Sequence, residues 1–260
     1  MLSDPQHVLI IIARLMGIAV TLQSLEFIKM RESISEKGIW RWSELRVEYV
    51  FLPKFLVRAL DWIMVEKRFM EMVTVRFYTG ILALIYPHFL LIFIFLFLST
   101  FLITLRWRGS FNGGSDYLTL IILLCLCVGF LHPLLAKAAL WYICLQVVSS
   151  YFIAGVYKIK THKWRIGTAI FGFVTSPNYK TPKFVMEKSR DPQWAKFMAW
   201  SVIVFELTFP LVLAHPNLTI FYLAAGVLFH LANFVTFGLN RFFWVWCASY
   251  PAIYYCTHLI

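Results

Sequence analysis

The run Tyr151-Phe-Ile-Ala-Gly-Val-Tyr-Lys158 closes an apolar, aromatic stretch on a lysine. A primary amine in that setting reaches out to water, pairs with an anion, or serves as a base whose neutral form the apolar surround favours. Other polar groups sit in equally apolar sequence. Arg14 lies in His7–Ile28, and Glu26 lies near the far end of the same run. Glu206 is the only acid in Trp200-Ser-Val-Ile-Val-Phe-Glu-Leu-Thr-Phe-Pro210. His230 and Asn233 share a helix face at i, i+3 in Gly226-Val-Leu-Phe-His-Leu-Ala-Asn-Phe-Val-Thr236. Asp116 follows Asn112-Gly-Gly-Ser115, and Gln146 is set in apolar sequence. Each has a plain structural reading. Lys158 marks a boundary before Lys160, Lys163 and Arg165, Glu206 neutralises Arg14, Asp116 follows a turn at a helix start, and His230 bonds a neighbouring helix. Together they put an Arg, a Glu, a His-x-x-Asn face and a Lys into one small bundle, and ionisable groups within a bilayer are functional candidates by default.

The elements that must position these groups are membrane helices. The chain has 260 residues, of which 60% are hydrophobic and 14% charged, with a mean hydropathy of +0.73. Soluble domains run about 45–50% apolar and about 25% charged. The composition therefore predicts an all-α, polytopic integral membrane helix bundle, a single domain over 1–260 with no separate soluble core. At about 20 residues per crossing, about eight spans are expected, near 7–28, 70–86, 88–105, 116–132, 134–157, 195–214, 217–237 and 241–259. Only Tyr86-Pro87-His88 separates the second from the third, so a single kinked helix or a re-entrant pair there would give seven. The first run is too long for a signal-peptide core and reads as a retained span. Between the spans, Lys54–Arg68 has the mixed spacing of an interfacial amphipathic helix, with Phe55, Leu56, Ala59 and Ile63 apolar. The basic stretch 159–192 is broken by Gly167, Gly172, Pro177, Pro182 and Pro192.

The net charge of +11 does not point to nucleic acid, because the charges flank apolar segments. Segments 29–70, 106–116, 158–196 and 238–241 hold 21 of the 24 Lys and Arg residues, and the opposite loops hold none. The positive-inside rule makes that side cytoplasmic and places both termini outside. The five cysteines lie in spans without a C-x-x-C pair, which argues against a disulfide oxidoreductase. The seven histidines lack ligand spacing, so no metal is expected. There is no G-x-S-x-G elbow and no H-E-x-x-H helix. No inverted repeat supports a transporter.

Several segments resemble a known family. Phe152-Ile-Ala-Gly-Val-Tyr-Lys158, followed by Trp164 and Gly167, resembles the part of vitamin K-dependent γ-glutamyl carboxylases that holds their proposed catalytic lysine. Phe229-His-Leu-Ala-Asn233 is similar to a Phe-His-x-x-Asn stretch of the same enzymes. Arg14-Leu-Met-Gly17, Asn112-Gly-Gly-Ser-Asp116 and Phe205-Glu-Leu-Thr-Phe-Pro210 resemble the wider bacterial HTTM (horizontally transferred transmembrane) group, in matching order. The resemblance implies Lys158 as a base toward a vitamin K-like hydroquinone. It also implies His230 and Asn233 as hydrogen-bonding partners of the ring oxygens, and Tyr151, Gly155, Tyr157 and Phe229 as the wall of the quinol site. In the carboxylases the oxygenated cofactor then removes a glutamate γ-proton and carbon dioxide is captured. Arg14, Asp116 and Glu206 are expected to be structural polar groups.

Three departures stand beside this. Gly114-Ser115-Asp116 precedes Tyr117-Leu118 where the carboxylases carry an Asn-His pair, so Ser115 replaces a histidine. The extramembrane region that grips their propeptide has no counterpart before Ile260. Their active site also faces the lumen, whereas the basic segments here put Lys158 on the cytoplasmic side. The expectation is a bacterial cytoplasmic-membrane enzyme among membrane lipids, acting on a peptide or small substrate with an accessory soluble protein as partner. The alternative is a non-catalytic HTTM scaffold for maturation or export of, or immunity to, a secreted peptide toxin.

Overall fold

The computed structural model describes residues 4–106 and 114–259, and every regular element among them is helical. The long helices are α1 (Pro5–Lys29), α2 (Glu66–Ile85), α3 (Leu90–Arg106), α4 (Asp116–Gly129), α5 (Pro133–Lys160), α6 (Pro192–Thr208, extended by a 3₁₀ turn to Leu213), α7 (Pro216–Phe237) and α8 (Asn240–Thr257). They lie where the spans are expected, and Tyr86–Phe89 separates α2 and α3 into two helices. By length and apolarity, Pro5–Lys29, Pro133–Lys160, Pro192–Leu213 and Pro216–Phe237 suffice to cross a membrane. α4 is apolar but only 14 residues long. At 1.5 Å per residue it reaches about 21 Å, short of a hydrocarbon core of about 30 Å. Its length does not carry a full crossing, so the expected count of eight spans does not follow from helix lengths alone.

The helices long enough to cross share one way of starting. Asp4, His132, Asp191 and His215 each cap with a side chain that accepts the backbone N–H two residues on, and each is followed by a proline. The cap satisfies a donor left free by the first turn, and proline lacks the N–H that would otherwise be orphaned there. Gly238, at φ +70°, ends α7 in the left-handed conformation that favours glycine.

The main core joins α1, α4, α5, α8 and parts of α2 and α3 around Ile12, Met16, Leu126, Ile143 and Ile253. Gly17 allows close packing of α1 on α2, since a Cβ there would lie 2.8 Å from the Gly80 carbonyl oxygen. A second core gathers Phe27, Ile34, Trp42, Tyr49, Leu60, Met64 and Phe69. The segment between α1 and α2 is thus a folded layer rather than a loose connection. Arg106, fully buried, pins it by donating to the carbonyls of Ile34, Trp40 and Met64. The helix Lys54–Met64 buries Val57, Leu60 and Met64 and leaves Phe55 and Trp62 exposed, as an interfacial helix would.

Two expectations about polar groups are corrected. Arg14 is exposed and points away from the bundle, because the interior stripe of α1 runs through Leu9, Ile12, Ala13, Met16 and Val20. Glu206 therefore cannot neutralise it. The arginine buried beside α1 is Arg76 of α2, bonded to Ser24 (2.8 Å), Gln23 (2.6 Å) and Thr100 (3.0 Å). Gln23 continues to Asp116 (3.2 Å), which also accepts from Arg241 (3.2 Å), and Arg241 in turn meets Glu26 at 3.3 Å. Glu26 is held in this network rather than left to water. Asp116 is the first residue of α4 and is buried, while Asn112 and Gly113 lie outside the described residues.

Candidate active site

Tyr151, Gly155 and Lys158 recur at i, i+4 and i+7 along α5, which puts them on one face. Gly226, His230 and Asn233 repeat that spacing along α7. The two stripes, with α6 and α8, enclose a cavity of about 480 Å³. Lys158, Glu206, His230, Asn233, Tyr151 and Phe229 all line it. Its other walls are largely aromatic, among them Trp164, Phe173, Phe242 and Trp246. The cavity lies within the usual range for small-molecule sites, about 300–1,000 Å³.

Gly155 explains how the charged pair forms. A Cβ on it would lie 2.7 Å from the Leu207 backbone nitrogen and 3.0 Å from the Glu206 carbonyl carbon. Its missing side chain lets α6 approach α5 and brings Glu206 opposite Lys158. Lys158 Nζ then donates to both Glu206 carboxylate oxygens at 2.7 Å and lies 5.1 Å from the Trp164 ring centroid. Glu206 is 4% exposed, so this is a buried ion pair with an aromatic lid. Of the options open to the lysine, pairing with an anion is the one realised.

Two turns earlier along the same face of α5, the Tyr151 hydroxyl is 2.7 Å from His230 Nε2 and 2.7 Å from the Tyr250 hydroxyl. The imidazole stacks on Trp246 with centroids 4.9 Å apart and planes at 28°. Trp246 Nε1 donates to the Gly114 carbonyl (2.8 Å), tying this wall to the start of α4. His230 is 2% exposed, and its Nδ1 has no hydrogen-bond partner among the described residues.

Residues 132–257 match the family model of the HTTM domain. These residues are similar to that domain. The match starts at the cap of α5 and ends with α8, so the matched residues include the lysine, its glutamate, the histidine and both tyrosines. α4 adds Tyr117, Leu118 and Ile121 to the cavity from outside the match. No curated protein and no solved structure matches the chain. The match to the HTTM domain and the long apolar helices support an integral membrane protein.

Two residues expected in the quinol wall are placed differently. Tyr157 is 72% exposed, because it lies off the stripe that faces α6. Gly155 serves helix packing and does not line the cavity. Ser115 is buried but does not line the cavity either, whereas Gly114 does. Gln146 is half-buried on the cavity wall and bonds Ser150 (3.4 Å). Tyr250, Trp246 and Gly226 were not singled out from the sequence, though Gly226 completes the i, i+4, i+7 stripe of α7. Among the described residues, no group of three or more His, Cys, Asp or Glu side chains is placed to hold a metal ion.

Proposed function

We propose that the protein is an integral membrane enzyme that binds a quinol-like lipid in this cavity. It uses Lys158 with Glu206 as proton acceptor in the modification, by carboxylation or oxidation, of a peptide or small substrate. The observation that carries the reading is the convergence of Lys158, Glu206, His230 and Asn233 on one aromatic cavity. The lining is compatible with a flat quinol ring, having aromatic walls, a charged pair and a buried imidazole nitrogen without a partner among the described residues. When bound, a quinol supplies an acidic hydroxyl and two reducing equivalents.

The chain's own groups do the rest. Lys158 and Glu206 together are neutral, whichever of them carries the shared proton. Taking one more proton leaves an ammonium beside a carboxylic acid, and that net positive charge faces the oxygen that gave the proton up. Trp246 and His230 present a flat wall for orientation, while the Trp164 ring lies beside the Lys158 amine. His230 and Asn233 are the hydrogen-bonding groups for the ring oxygens. An eight-span topology with the basic segments cytoplasmic, in a bacterial cytoplasmic membrane, belongs to the same proposal.

The test is turnover of menaquinol-4 by proteoliposomes carrying the purified protein. Lys158→Ala should lower the rate at least about 10²-fold, in the range expected for removal of a positioned base, with insertion unchanged. An undiminished rate in a well-inserted variant overturns the proposal. One observation favours the scaffold reading instead. Lys158 is satisfied by Glu206 without any ligand, and absence of both quinol turnover and bound quinone would select that reading.

A further inference from the structure

We infer that a groove on α2 and α3, beside the interfacial helix Lys54–Met64, binds a phospholipid whose headgroup carries both a phosphate and a primary ammonium. The groove shares no residue with the cavity around Lys158, so the inference stands apart from the quinol reading.

The spacing of residues on two helices builds the groove. Arg68, Met72 and Val75 recur at i, i+4 and i+7 along α2, and Phe95, Leu98 and Leu102 at i, i+3 and i+7 along α3. Both stripes line one cavity of about 390 Å³, with Trp62 and Ile63 of the interfacial helix completing it. From Arg68 to Val75 the wall runs about 10 Å, at 1.5 Å per residue, against about 15 Å for one leaflet of a hydrocarbon core about 30 Å thick. Ser99 is the hydroxyl in this lining, and its Oγ donates to the Leu96 carbonyl (3.1 Å). The wall beyond Arg68 and Glu71 is therefore apolar in effect, and its length suits an acyl chain.

The charges on the lip select the headgroup. Arg68 Nη1 donates to the Trp62 carbonyl (2.9 Å), and the guanidinium carbon lies 4.4 Å from the Trp62 ring centroid. These contacts orient the guanidinium, and Arg68 has no ion pair among the described residues. Glu71, one turn further along α2, is exposed and has neither a hydrogen bond nor an ion pair among the described residues. Side chains at i, i+3 are neighbours on a helix, yet these two do not pair. One unspent cation beside one unspent anion complements a phosphate beside an ammonium. The guanidinium presents parallel N–H groups to phosphate oxygens, and a primary ammonium has N–H groups to give the carboxylate. A quaternary choline has no N–H to donate, and a glycerol headgroup brings no cation to Glu71. Trp62, 61% exposed, supplies the amphipathic ring that suits headgroup depth. A lipid seated this way joins the interfacial helix to α2 and α3.

The test is native mass spectrometry of the full chain, delipidated in detergent and titrated with phosphatidylethanolamine, phosphatidylcholine or phosphatidylglycerol of identical acyl chains. The wild type should take up one phosphatidylethanolamine at about 3–5-fold lower concentration than either other lipid, the size of effect that exposed charged contacts give. Glu71→Gln leaves the guanidinium alone and should turn the preference toward phosphatidylglycerol. Because Glu71 is exposed and unpaired, this variant tests the headgroup without threatening the fold. Arg68→Gln should weaken uptake of all three lipids, and so should Val75→Trp, which fills the groove with an indole. Equal uptake of the three lipids by the wild type, a preference for either of the other two, or an unchanged preference in Glu71→Gln overturns the inference. Undiminished uptake by Arg68→Gln or Val75→Trp places the lipid elsewhere and overturns the site.

Discussion

Breaking the Lys158–Glu206 pair from its two ends should have unequal costs. The glutamate side chain is 5% exposed and the lysine side chain 18%. Lys158→Met strands a carboxylate in an aromatic cavity, and removing one partner of a buried pair costs about 3–5 kcal/mol. For a chain of this size, that lowers Tm by roughly 6–20 °C, at about 2–4 °C per kcal/mol. Glu206→Gln costs less, because Lys158 lies near the end of α5 beside Trp164 and can extend toward water. The double variant Lys158→Met/Glu206→Gln leaves no charge behind and should recover most of the loss. The assay is thermal unfolding of all four proteins in one detergent, followed by tryptophan fluorescence. Single-variant effects that add to within about 0.5 kcal/mol would mean the two side chains do not interact. That result would refute the pairing and the proton acceptor built on it.

Three further outcomes follow from the packing and charge network. Gly155→Leu should destabilise by about 1–3 kcal/mol or more, since its side chain meets α6 backbone that cannot move aside cheaply; unfolding midpoints read this. Asp116→Asn should cost about 3 kcal/mol by leaving Arg76 and Arg241 undercompensated, while Arg14→Leu on the outer face should shift stability by no more than about 0.5 kcal/mol. The same unfolding assay on these two variants tests which arginine is internal. In the layer between α1 and α2, the hydrogen bond from Arg46 holds the Asp61 carboxyl below its usual 3.8, with a further bond from Trp42. Because the folded value is depressed, the contribution is present above about pH 3.8 and is lost as pH falls through the folded value. Amide exchange over 42–64, corrected for intrinsic rates, should stay flat from pH 7 to about 5 and rise only in more acid solution. Asp61→Asn should abolish that dependence.

The long helices were legible because hydrophobic runs of helical length show in one dimension, and the starts of α1, α5, α6 and α7 are written locally as Asp-Pro or His-Pro. The candidate site was half legible. Lys158, His230 and Asn233 stand out as polar residues in apolar helices, and their spacing gives the face. The partners of Lys158 and His230 were not readable, because pairing depends on how helices rotate against one another. Arg14 and Arg76 are both arginines in apolar sequence, and only packing decides that the first faces outward and the second is buried. Tyr250 hid for a related reason: in a chain with 12 tyrosines, one more is unremarkable until its hydroxyl is seen filling the space left by Gly226.

The central claim is that the cavity holds a quinol-like lipid, and its most direct measurement is the quinone content of the purified protein. Organic extraction followed by quantitative mass spectrometry should recover close to one isoprenoid quinone per wild-type chain. It should recover almost none from an equally stable Ala154→Trp variant, in which an indole fills the cavity beside Tyr151 and Lys158. A wild-type protein with no quinone, or the same amount in both proteins, contradicts the account.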